Sequence, residues 1–370
     1  MRQNKRGIAV LLAVILLISC MSSPAQAANT DIETALEQAI AAQYEMAAVA
    51  PGALLGTQDT YPAGESINDW MAFTLARCNQ EEDYEAYLQA LEHYVTQQYM
   101  QPQTGINGRH RIALTVLALG GDPTAFGTDA GGMAIDLVAD STWNYSGDYA
   151  LETINITAYA LLLLQAADVA LPADARYTEA TLVQIILAQQ NPDGGFGLMA
   201  GTSDVDITAM VLQALAGNRD LPQVEDAVAS ALDYLKDAMA ENGTFISYGS
   251  DSCESLCQVI LALCALDLGE EAMFSTAVQT LLQYQCADGS FRHALADNDG
   301  DYMTTQQAIL TLCALHRLQT AQPGIYDLAD AESNGIKDVS GRSIVLIGIG
   351  IAAVFVTAIL VVRKRGNKHV

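Results

Sequence analysis

A turn that recurs down the chain constrains the fold more than any other feature of the sequence. It reads QNPDGGF at Gln190–Phe196, QCADGSF at Gln285–Phe291 and, in worn form, ENGTF at Glu241–Phe245. In each copy a Gly follows Asp or Asn, and a Phe comes two residues after that Gly. Pro and Gly end whatever helix precedes the turn. An acid then opens the next apolar helix, as Asp204 and Asp206 do before ITAMVLQAL and Asp301 before TTQQAILTLCAL. Carboxylates suit helix starts because they accept from unpaired backbone N–H groups. One supersecondary unit is therefore repeated.

Helical periodicity runs from Thr30 to Thr320 and separates into two series. Striped helices are expected near 34–48, 83–99, 129–139, 174–190, 224–240 and 271–286. Helices apolar nearly all round are expected near 66–79, 108–119, 153–168, 204–217, 253–267 and 303–319. A helix without a polar face must be buried, whereas a striped one can face water. Six buried helices inside six striped ones predict an all-α, double-walled (α/α)6 toroid over residues 29–320. An open solenoid is the alternative, and it would want polar capping repeats.

The two ends read differently. MRQNKRGIAVLLAVILLISCMSSPAQAA has the basic start, apolar run and small-residue site of a signal peptide over residues 1–28, cleaved near Ala27 or Ala28. LISC also fits a lipoprotein box with Cys20 as the lipidated residue. Residues 344–362 are uncharged and apolar and lead into a basic tail at 363–370. Such a run nearly spans a bilayer core of ~30 Å. The expectation is a bacterial single-pass membrane protein with its toroid extracellular, joined to the anchor by a linker at 321–343. All 43 acidic residues lie between these ends and give a net charge of −26. That balance excludes a nucleic-acid partner. The cysteines sit mostly among apolar residues, and no disulfide framework is readable.

The Q-x-x-D-G-[GS]-F turns and the DVDITAMVLQAL helix resemble the prenyltransferase and squalene-cyclase superfamily, across nearly all of residues 30–320. The chain looks closest to anchored bacterial surface proteins carrying a lone toroid. Repeats of this kind imply a fold, and each chemistry has to be tested at its own residues. A zinc site of the prenyltransferase type wants an Asp and a Cys in D-x-C spacing and a later His. Asp251 and Cys253 match, but Thr304 stands near the place of the His, so zinc is not expected. Cobalamin carriers need a β domain after the toroid; no strand-rich region follows residue 320, and that site lacks half its walls. The complement-type thioester motif is absent. Class II terpene cyclases protonate an alkene from the middle Asp of D-x-D-D-[ST]-A. Here the stretch is Asp204-Val205-Asp206-Ile207-Thr208-Ala209, so the acid position is held by Asp206 and its acidic neighbour is replaced by Ile207.

Aligning the six buried helices on their apolar cores stacks Asp69, His110, Asn155, Asp206, Glu254 and Met303 near the N-termini. Arg109, Arg111 and Asp204 fall close by, and Trp70, Trp143, Tyr145, Tyr149, Phe245, Tyr248 and Tyr302 come from the same end. In a closed toroid these groups converge at one mouth, the expected site for a small-molecule or surface ligand. The ligand-binding candidates are Asp69, Trp70, His110, Arg111, Asn155, Asp204, Asp206, Glu254 and Tyr302; the catalytic candidate is Asp206. The first expectation is a non-enzymatic binding module and the second a cyclase-like enzyme with Asp206 as general acid. A third is a glycosidase or polysaccharide lyase using paired carboxyls.

Overall fold

The computed structural model describes residues 24–57, 61–99, 104–247, 249–269 and 271–331. Among these are twelve α-helices: α1 (Pro24–Met46), α2 (Ser66–Arg77), α3 (Tyr84–Gln98), α4 (Gly105–Ala118), α5 (Leu137–Ser141), α6 (Ile154–Ala167), α7 (Glu179–Leu187), α8 (Val205–Leu215), α9 (Pro222–Ala238), α10 (Cys253–Ala265), α11 (Ala272–Leu281) and α12 (Tyr302–Gln319). A two-stranded hairpin, β1 (Ile246–Ser247) with β2 (Ser250–Asp251), precedes α10.

The even-numbered helices pack in a cycle. Each touches the next, α2 on α4, α4 on α6, α6 on α8, α8 on α10 and α10 on α12, and α12 returns to α2. Odd-numbered helices lie against them, α5 on α4, α7 on α6, α9 on α8 and α11 on α10, while α1 packs on α12 across the seam. The main core fills the space between the layers, where Phe196, Phe245 and Phe291 are fully buried.

These phenylalanines explain the repeated turn. Gly194 and Gly289 sit at φ +87° and +91°, and a Cβ there would lie 2.4 Å from Ser230 O or 2.5 Å from Gln38 O. Only Gly tolerates both the dihedral and the approach. In the two intact copies the Gln staples the turn to the following outer helix: Gln190 Nε2 donates to Gly194 O and Ala227 O (2.8 Å each), and Gln285 Nε2 to Gly289 O (3.2 Å) and Ala35 O (3.1 Å). The Phe backbone N–H then donates to a threonine hydroxyl of the next inner helix, Thr208 or Thr305, at 2.9 Å. The motif is a fastening between layers.

Two expectations change. Helix α5 has five residues where a helix over 129–139 was expected. Asp129 accepts from the N–H groups of Gly131 (2.8 Å) and Met133 (2.9 Å), and Gly132 adopts φ +79°, so that stretch turns instead. The start of the expected linker folds back, burying Ile325, Leu328 and Ala331. No helix among the described residues is long and apolar enough to cross a membrane. The signal-peptide core, the 344–362 run and Tyr248 lie outside the described residues.

Candidate active site

The inner helices begin at positions that redraw the expected ring. The second residue after each N-cap is Ile67, Ile106, Asn155, Asp206, Glu254 and Met303, on α2, α4, α6, α8, α10 and α12. All six keep some exposure; Ile67 is 37% and Met303 53% accessible. Asp69 and His110, aligned with them from sequence, lie two and four residues deeper and are fully buried. The mouth therefore has a polar arc on α6, α8 and α10 and an apolar arc on α12, α2 and α4.

Asp69 and Arg111 are structural. Asp69 Oδ2 pairs with Arg111 Nε at 2.9 Å, and Oδ1 accepts from Gly64 N (2.9 Å) and the Tyr87 hydroxyl (2.7 Å). Arg111 also donates to Gly64 O at 2.7 Å. His110 Nε2 donates to Ser141 O at 2.6 Å, with Tyr149 stacked beside it. Burial pushes its pKa down to about 4, so the ring stays neutral. Arg109 lies over the Tyr99 ring instead of in the mouth. Tyr302 is half-buried and stacks on Tyr61.

The polar arc is built around two carboxyls in contrasting states. Glu254 is saturated: Oε2 accepts from His293 Nδ1 (2.7 Å) and the Ser252 hydroxyl (3.0 Å), and Oε1 from the Thr304 hydroxyl, which also bonds Asp301. Asp206 is not. Its Oδ1 is buried without a hydrogen-bond partner, as is Asn155 Oδ1 on the adjacent helix. Burial raises the Asp206 pKa; the Ser255 hydroxyl opposes this, and the charges of Asp204 and Glu254 reinforce it. The Ser255 hydroxyl is near but makes no hydrogen bond of acceptable geometry, so it does not satisfy the carboxyl. Helix capping falls to Asp204, whose Oδ1 accepts from Ile207 N at 3.0 Å. Asp206 is thus a carboxyl free of the capping duty and biased toward its protonated form.

Below this arc the inner layer is apolar and aromatic. Trp70 packs edge-on against Phe73 with centroids 5.5 Å apart, and lies 5.8 Å from Tyr159. Met210 sits one turn beneath Asp206, as Tyr159 does beneath Asn155. His293, Tyr159 and Met210 escaped the sequence reading. The last two are found by stepping four residues along a helix from the polar ring, while nothing local marks His293. Of the Asp251–Cys253 pair, the Asp251 carboxylate accepts from the Tyr284 hydroxyl and Leu295 N, both at 2.7 Å, and Cys253 is buried. Among the described residues no three His, Cys, Asp or Glu side chains are grouped to hold a metal ion.

No protein-family model matches the chain. It is 29% identical over 229 residues to drimenyl diphosphate synthase of Streptomyces showdoensis, an alignment covering 54% of this chain and 41% of the synthase. The chain thus spans less than half the length of that relative. Among solved structures it is similar to Candida albicans protein geranylgeranyltransferase-I complexed with GGPP, with a TM-score of 0.52 at 13% identity over 81% of this chain and 97% of the other. The helical fold is of the prenyltransferase and terpenoid-cyclase kind.

Proposed function

We propose that the cycle of inner helices is a closed (α/α)6 toroid and that the chain is a terpenoid-related enzyme, with Asp206 as the general acid that protonates an isoprenoid double bond. The carrying observation is the Asp206 carboxyl: its Oδ1 is buried without a partner, burial pushes it toward its neutral form, and the aromatic pair Trp70 and Tyr159 lies in the same inner layer. In the step, the O–H bond of Asp206 breaks and a C–H bond forms at one alkene carbon. The carboxylate remains on Asp206 and a carbocation on the neighbouring carbon. The faces of Trp70 and Tyr159 stabilise that cation. A second double bond of the same chain then attacks the cationic carbon: its π bond breaks, a ring C–C bond forms and the cation moves to the far alkene carbon. Loss of a proton from the carbon beside it to water restores an alkene, and the net reaction is a cyclising isomerisation. Ile207 stands where the superfamily pattern has a second acid; Asp204 and Glu254 supply the negative charge that keeps Asp206 protonated.

The relative named for making drimenyl diphosphate supports this reading over a purely binding surface module. Secretion, membrane anchoring and an extracellular toroid belong to the same proposal. Protease applied to intact cells should release an acidic fragment ending beyond Ala331. For the chemistry, the purified chain is incubated with geranyl, farnesyl and geranylgeranyl diphosphates and with squalene, and extracts are read by mass spectrometry. A cyclised product that disappears in Asp206→Asn is expected. A wild type inert toward all four sinks the assignment.

A further inference from the structure

A cyclisation begun at Asp206 leaves one end of its substrate untouched. The head group of the isoprenoid keeps every bond, so the chemistry asks for an alkene and not for a diphosphate. A diphosphate is multiply anionic, and proteins hold such groups with Arg, Lys and free helix N-termini. Residues 30–331 contain eight Lys and Arg, and each is committed elsewhere. Arg77 and Arg317 hold a strap, 322–331, across the inner-helix C-termini through Asp330. Arg111 pairs with buried Asp69, Arg109 lies over the Tyr99 ring and Arg219 pairs with Glu225. Arg176 donates to Tyr145 O and Ser146 O, and Arg292 to Asp297 O and Gln283 O. Lys236 lies on the outer helix α9 beside Asp233. The positive helix ends at the mouth are taken as well. Asp204, Ser252 and Asp301 accept from first-turn N–H groups of α8, α10 and α12 at 3.0, 3.1 and 2.9 Å. His293 Nδ1 is already bound to the Glu254 carboxylate at 2.7 Å.

Where the mouth is not acidic, its rim is apolar. Ile67, Leu151, Leu198, Met199, Ile246 and Met303 are all exposed, Leu151 to 85%. All six lie in the connections that lead from an outer helix into an inner one, or in the first turn that follows. Exposed apolar groups gathered at one end of a molecule mark a surface that meets something apolar. We infer that the substrate is an uncharged isoprenoid, a hydrocarbon or an alcohol, and that the carboxylates of the mouth repel a diphosphate. This rests on the reading of Asp206 as an acid acting on an isoprenoid, and it adds what stands at the other end of that molecule. On this point the chain parts from the synthase it resembles, whose name records a diphosphate.

The test compares substrates in pairs that share a hydrocarbon: farnesol with farnesyl diphosphate, and geranylgeraniol with geranylgeranyl diphosphate, with squalene alongside. The full chain, held in nonionic detergent, is assayed with and without magnesium ions, and cyclised products are read by mass spectrometry. An alcohol or squalene should be cyclised with a kcat/KM roughly tenfold or more above that of the diphosphates, since like charges brought together cost at least that factor. Asp206→Asn should abolish the product. Met303→Lys sets an ammonium at the apolar rim and should raise kcat/KM for a diphosphate, relative to its alcohol, by roughly tenfold; Ile67→Lys replaces it if that variant does not fold. Diphosphate turnover that equals or exceeds the alcohol's, with or without magnesium, and is lost in Asp206→Asn overturns the inference and spares the terpenoid reading. A lysine variant with the wild-type preference overturns the role of charge, and the inference with it. Absence of a cyclised product from every substrate overturns the reading and the inference together.

Discussion

The two ends of the inner-helix cycle carry buried charged groups in different conditions. At the strap end, Arg77 and Arg317 are nearly inaccessible, yet both find Asp330 and backbone carbonyls. At the mouth, Asp206 and Asn155 each keep a buried oxygen with no partner. Burial without a partner costs stability, and a fold tolerates it where something else is gained. At the strap end, where residues 322–331 cross the inner-helix C-termini, each guanidinium keeps a counter-charge, although Arg77 Nε is itself buried without a partner. What separates the ends is charge: among the described residues no cation pairs with the Asp206 carboxyl, and Asp204 and Glu254 add negative charge beside it.

Breaking the strap end should produce the largest effect. Asp330→Ala leaves two guanidiniums buried without a counter-charge, a loss of about 3–5 kcal/mol. It is read from urea denaturation, with proteolysis after Gln322 reporting a released strap. Burial works to raise the Asp330 pKa, but the bonds to Arg77 and Arg317 outweigh it and hold the carboxylate below its ordinary value. Its contribution is present above the unfolded pKa and is lost as pH falls through the folded one. A variant as stable as wild type would show that the clasp is ornamental.

His110 gives the next largest effect, and it is confined to acid. Its folded pKa of about 4 lies below the ordinary 6.5, so the stability it contributes is present above pH 6.5 and drains away between there and pH 4. At 1.4 kcal/mol per unit the total is about 3 kcal/mol. Chemical denaturation at stepped pH should show this slope, and His110→Gln should flatten it.

Two carboxyls two residues apart should then separate by role. Asp204→Ala removes a cap and should cost about 0.5–2 kcal/mol. Asp206→Asn removes no cap, and its stability at neutral pH should match or slightly exceed wild type. The sign follows from the raised pKa: the wild-type contribution is full below the unfolded pKa of Asp and is lost as pH rises through the folded one. A large loss in Asp206→Asn, with Asp204→Ala silent, would reverse the assignment of cap and acid.

The alternation of striped and apolar helices made the layered helical plan legible, since a helix with no polar face has nowhere to go but inside. The site was half legible. Asp206 and Glu254 follow cap residues whose side chains bond the helix, Asp204 and Ser252, and such starts can be read directly. Helices α2 and α4 begin after Glu65 and Thr104, which make no side-chain cap bond. Aligning them on apolar residues therefore slipped the register and put Asp69 and His110 in the mouth. The strap was invisible for another reason: a segment held by arginines from distant helices has no periodicity of its own.

The seam between α1 and α12 also dictates an order of events. Gln285 reaches back to Ala35, and Gln43 Nε2 to Tyr302 O at 3.4 Å, contacts separated by about 250 residues. Synthesis at 5–20 residues per second puts roughly 12–50 s between the emergence of α1 and that of its partner. Throughout that interval Ile32, Ala35, Ala39 and Ile40, which end fully covered or nearly so, have no α12 to lie against. A helix packed only on its sequence neighbours could finish as it leaves the ribosome; α1 finishes only when α12 arrives, so the contact of greatest sequence separation is also the last to form.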